Sequence, residues 1–122
     1  MRLVRWIAAC GVILAACGGG SGGNPLQPPG PSVTADTVTI VDNSFGPTAV
    51  AVTPGGTVTW IWNGTNTMQH NVSWASGPGS LPGNSTTQAT GTPYSVTFND
   101  VGTYQFVCTL HSNMGGTVFV QP

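Results

Sequence analysis

The chain from residue 33 onward predicts an all-β domain, a two-sheet antiparallel sandwich. Three observations point there. Apolar and polar residues alternate with a period of two in seven or so short runs rich in valine, threonine and aromatics. Clusters of glycine, proline, asparagine and serine separate those runs, and no stretch of useful length keeps a helical period. Many short strands punctuated by turns must bury one face each, which two packed sheets do.

In chain order, Thr37 to Val41 alternates around Val38 and Ile40, and Thr48 to Val52 around Val50 and Val52. Thr53-Pro54-Gly55-Gly56 then reads as a turn. Thr57 to Trp62 sets Val58, Trp60 and Trp62 on one face against Thr57, Thr59 and Ile61 on the other. His70 to Trp74 is a further short run. Ala75 to Thr92, uncharged and rich in glycine, proline, serine and threonine, reads as a long loop with one short edge strand near Ser85 to Ala89. Tyr94 to Phe98, Thr103 to Cys108 and Thr117 to Gln121 complete the strands. About ninety residues suffice for a single core without disulfides.

Charge is scarce. Only 4% of the 122 residues are charged, with no lysine and no glutamate. Arg2 and Arg5 are the cations; Asp36, Asp42 and Asp100 are the anions. No basic patch exists to hold nucleic acid or anionic headgroups, so nucleic-acid binding is excluded.

Both arginines belong to a basic start followed by an apolar run, Trp6 to Ala16, too short to anchor as a span. Residues 1–16 therefore read as a signal peptide. It ends in Leu14-Ala15-Ala16-Cys17, which resembles a bacterial lipobox and makes Cys17 the expected lipidation site. Cys10 leaves too short an apolar run before it. Residues 17–32 combine this cysteine with a glycine- and proline-rich tether, whose Gly18 to Pro31 reach about 20 Å as a coil. Residues 33–122 form the folded domain. The expected location is the cell envelope, periplasmic or extracytoplasmic, with membrane contact through the lipid only.

Of the three cysteines, this leaves Cys108 alone in an oxidising compartment, where thiols normally pair. Its surroundings supply another role. Cys108-Thr109-Leu110-His111-Ser112-Asn113-Met114 places a thiolate, an imidazole and a thioether three residues apart, just after an alternating strand. His70 is the only other histidine. Singly, such residues are ordinary core or polar positions. Together, His70, Cys108, His111 and Met114 are a donor set for copper cycling between two oxidation states. Zinc takes cysteine and histidine too, but methionine is a poor fourth ligand for it.

The residues Asp42-Asn-Ser-Phe45-Gly-Pro47, Val52-Thr-Pro-Gly55, Val58-Thr-Trp60, His70-Asn71-Val72, Phe98, Gly102-Thr-Tyr104 and Cys108-x-x-His111-x-x-Met114-x-Gly116-Thr-Val118 carry a resemblance. From about residue 36 to the C-terminus the chain resembles cupredoxins of the plastocyanin and amicyanin type. The short ligand loop is closer to amicyanin. The resemblance implies a Greek-key cupredoxin sandwich and one type 1 copper, with Met114 as a long axial ligand. It gives Asn71 the part of tying the first-ligand loop to the cysteine loop. It makes His111 the surface exit for the electron, beside Leu110. Leu110 departs from the proline often found before that histidine, and Val107 from the tyrosine of a second plastocyanin route.

The expected function is one-electron shuttling by a monomer between redox proteins, such as a cytochrome or a copper-containing respiratory enzyme, docking by apolar contact. A periplasmic copper carrier or storage protein using the same site is the alternative. An enzyme is not expected. Two histidines cannot build the further centres of a multicopper oxidase, and no glutamate, lysine or further histidine is free for acid–base work.

Overall fold

A computed structural model describes residues 32–122 of the chain. The signal segment, Cys17 and the tether as far as Pro31 lie outside the described residues. Seven strands form: β1 (Val33–Val41), β2 (Ser44–Gly46), β3 (Ala49–Trp62), β4 (Ser73–Ser76), β5 (Tyr94–Phe98), β6 (Gly102–Val107) and β7 (Gly115–Val120). No helix is present among the described residues.

The long strand β3 belongs to both layers. Its first part, Ala49 to Val52, pairs with β7 from Thr117 to Val120. Its second part pairs with β1 on one side, from Ala35↔Thr57 to Ile40↔Trp62, and with β5 on the other, from Gly56↔Phe98 to Trp60↔Tyr94. One layer is thus β2-β1-β3-β5 and the other β3-β7-β6-β4, joined through β3. The segment read from sequence as a turn, Thr53 to Gly56, is the bend where the strand changes layer. Gly55 sits there at φ +84°, a left-handed conformation that glycine adopts without steric cost.

The core lies between the layers. Val58 and Trp60 are fully buried and Trp62 nearly so, whereas Ile61 is 40% exposed, as the alternation requires. Trp60 meets Phe106 of β6 edge to face at 5.2 Å and Trp74 of β4 at 5.6 Å. Phe45 of β2 meets Phe106 at 4.9 Å. Such aromatic pairs add about 0.5–1.5 kcal/mol each beyond the area they bury. Gly116 is required by this packing: a Cβ there would lie 2.4 Å from Phe106 Cζ and 2.7 Å from the Thr48 carbonyl oxygen.

The sandwich differs from expectation in four further places. It is not wholly antiparallel, because β1 and β7 both run parallel to β3. Alternation reports which face is buried and nothing about strand direction. Strand β2 is only three residues long, too short to show a period. The run at His70 becomes strand only from Ser73, because Val72 N–H donates to Ser85 Oγ at 2.7 Å instead of to a ladder carbonyl. For the same reason the edge strand at Ser85 to Ala89 reduces to a single bridge, His70↔Gln88.

Candidate metal centre

The cysteine is placed by strand periodicity. Tyr104, Phe106 and Cys108 all turn inward, at 3%, 1% and 4% exposure, so the thiol enters the core just past the end of β6. Residues 109–114 then connect β6 to β7. The loop is closed by Cys108 N–H donating to the Met114 carbonyl at 2.9 Å. Asn113 supplies its left-handed residue at φ +64°, a conformation asparagine tolerates better than most side chains. Met114 is buried at the loop's end.

His70 comes from a different part of the chain and is held by its own backbone. Its N–H donates to the Gln88 carbonyl at 2.9 Å. Its carbonyl accepts from Gln88 N–H at 3.1 Å and from the Trp62 indole at 3.1 Å. The ring is fully buried.

These elements converge. One donor atom from each of His70, Cys108 and His111 lies within 4.8 Å of the others. The Cys108 sulfur is 3.5 Å from His111 Nδ1 and 4.0 Å from His70 Nδ1, and the two rings lie 4.7 Å apart. Cys108, His111 and Met114 line one cavity of about 390 Å³ with Val107, Ser112, Asn113 and Gly115. His111 is half-buried, and Leu110, next to it in the chain, is 51% exposed. All four residues singled out in the sequence therefore meet at one end of the sandwich. Asn71 bridges the two ligand loops: Thr109 N–H donates to its Oδ1 at 2.9 Å, and its Nδ2 donates to Thr109 Oγ1 at 2.8 Å.

One residue of the site escaped the sequence analysis. Asp42, in the turn between β1 and β2, places Oδ1 3.0 Å from His70 Nε2. The same carboxyl accepts from Thr67 N–H at 3.0 Å, Thr67 Oγ1 at 2.7 Å and Met68 N–H at 3.2 Å. The bond from His70, aided by those from Thr67 and Met68, holds it well below its ordinary value of 3.8. An ionised carboxylate only accepts, so the proton between the two residues belongs to His70 Nε2. Nδ1 is the ring nitrogen that faces the Cys108 sulfur. No local signal marks Asp42, since its partners lie 25 to 28 residues further along the chain.

Two imidazoles, a buried unpaired thiol and a buried thioether form the donor set of a type 1 copper centre. The fold and the site define a cupredoxin. The comparisons agree: the family described as copper binding proteins, plastocyanin/azurin family, matches residues 33–121, and the chain belongs to it. It is 37% identical over 92 residues to amicyanin-alpha of Methylorubrum extorquens, covering 69% of this chain and 70% of that one. The amicyanin structure from Paracoccus versutus superposes with a TM-score of 0.59 at 32% identity, covering 71% of this chain and 81% of that one. A copper-containing nitrite reductase from Thermus scotoductus shares the fold at a TM-score of 0.63 and 23% identity. The match covers 81% of this chain but only a quarter of that enzyme's length.

Proposed function

We propose that the chain is a one-electron carrier of the cell envelope whose copper is held by His70, Cys108, His111 and Met114. The observation that carries this reading is the meeting of two imidazole nitrogens and a buried free thiol within 4.8 Å, with one of the imidazoles at the surface. Copper, when bound, supplies a one-electron couple between its cupric and cuprous states. The protein's own part is to hold the donors still. His70 is fixed by Gln88 and Trp62 through its backbone and by Asp42 through its ring. Cys108 is fixed by its place after β6 and by the bond from its N–H to Met114. A scaffold that sets the geometry, rather than yielding to the metal, keeps rearrangement small when the charge changes.

His111 is the exit. It is half-buried, and its neighbours in the chain Leu110 and Val107 are 51% and 37% exposed. Redox partners dock there by apolar contact, because the described residues contain no lysine or arginine to steer them. The chain works as a monomer tethered through lipid on Cys17, and it is not an enzyme: four protein donors leave no position for a substrate.

Electron self-exchange compared with copper release separates this from the copper carrier reading. A carrier of electrons exchanges them many times before copper leaves. Release of copper to a chelator faster than self-exchange would overturn the proposal.

A further inference from the structure

Asp42 makes an unusual contact for a group so short of counter-charge. Its side chain is 30% exposed, yet Oδ1 is directed at the fully buried His70 ring. Both arginines lie in the first five residues, and the chain has no lysine, so the described residues offer the carboxylate no cationic partner. What faces it instead is the His70 ring N–H, two backbone N–H groups and one hydroxyl. A full negative charge is thus fixed one imidazole away from the atom that faces Cys108.

We infer that Asp42 is the positioning residue that sets the reduction potential of the copper centre. It does so by holding the ring through Nε2 and by placing its charge behind the ring. The inference rests on the proposal that His70 holds copper. Two effects act in the same direction. A carboxylate hydrogen-bonded to a ligand imidazole raises the basicity of the ring nitrogen that binds the metal. A nearby negative charge also favours the more positive of two charge states. Both favour the cupric form, so the wild-type potential is lower than it would be with a neutral acceptor in the same place. Partial exposure screens the charge, which keeps the effect moderate.

The discriminating variant is Asp42→Asn, which retains an oxygen acceptor for Nε2–H and removes only the charge. In the copper-loaded full chain, the ratio of cupric to cuprous affinity is expected to fall about tenfold, equivalent to about 59 mV upward for a one-electron couple. The visible thiolate-to-copper band is expected to persist in both proteins. Nitrogen-15 NMR of the wild-type chain without copper gives a second reading, independent of the variant's folding. It should show a proton on His70 Nε2, hydrogen-bonded to Asp42. A potential unchanged within twofold in that ratio, with the band intact, overturns the role of Asp42 and leaves the copper centre standing. So does an apo His70 whose Nε2 carries no proton. Absence of the band in the copper-loaded wild type overturns the copper centre itself.

Discussion

Replacing Asn71 with alanine tests how the two ligand loops are joined. The residue makes two good bonds to Thr109, at 2.9 and 2.8 Å, and a weaker contact to Thr87 Oγ1 at 3.4 Å. A protein hydrogen bond is worth about 0.5–1.5 kcal/mol net. Asn71 is half-buried and Thr109 exposed, so water recovers part of the loss. The expected cost is therefore about 1–2.5 kcal/mol, roughly 5–15 °C in the melting temperature of a domain this size. Thr109→Val deletes only the hydroxyl acceptor, leaving the backbone bond, and should cost about 1 kcal/mol or less. Because the pair shares one interaction, the double variant should be little worse than Asn71→Ala alone. Urea unfolding of the copper-free protein measures all three. Copper release should also quicken in Asn71→Ala, since Thr109 adjoins Cys108. Additive costs, or an Asn71→Ala variant within about 0.3 kcal/mol of wild type, would refute the bridge.

Three further outcomes follow from other parts of the molecule. Phe106→Ala removes the ring shared by Phe45, Trp60 and Trp74 and should cost about 3–5 kcal/mol in urea unfolding. Leu110→Glu should leave the visible copper band in place, slow bimolecular electron transfer, and strengthen a salt dependence that is weak in the wild type, measured by stopped flow at varied ionic strength. Burial raises the phenols of Tyr94 and Tyr104 above their ordinary value of 10.0, so the folded state keeps those protons longer than the unfolded chain. Their contribution is complete below about pH 10 and is lost as the pH rises through the folded-state values. Tyr104→Phe should flatten that alkaline decline while leaving stability at neutral pH nearly unchanged.

The residues of the candidate centre were legible because short-range spacing encodes them. Cys108, His111 and Met114 occupy one hairpin loop, and a single remaining histidine left no choice for the fourth. The inward face of each strand was legible too, as the burial of Val58, Trp60 and Trp62 shows. Strand direction was not: β1 and β7 lie parallel to β3, and that depends on long-range pairing. Nor could the sequence distinguish a turn at Pro54-Gly55 from a bend inside one strand. Both require the same residues, and only the neighbours on either side decide. Asp42 was hidden for a similar reason, since its role arises where the turn after β1 meets the segment before His70. Asn71, adjacent to a ligand, was visible through the family likeness.

The most direct measurement is the visible spectrum of the protein titrated with cupric ion. One equivalent should produce an intense thiolate-to-copper band that bleaches on reduction, and Cys108→Ser should abolish it while the strand signature in circular dichroism remains. A copper-replete wild type without that band, or a band that survives Cys108→Ser, would contradict a centre built on His70, Cys108, His111 and Met114.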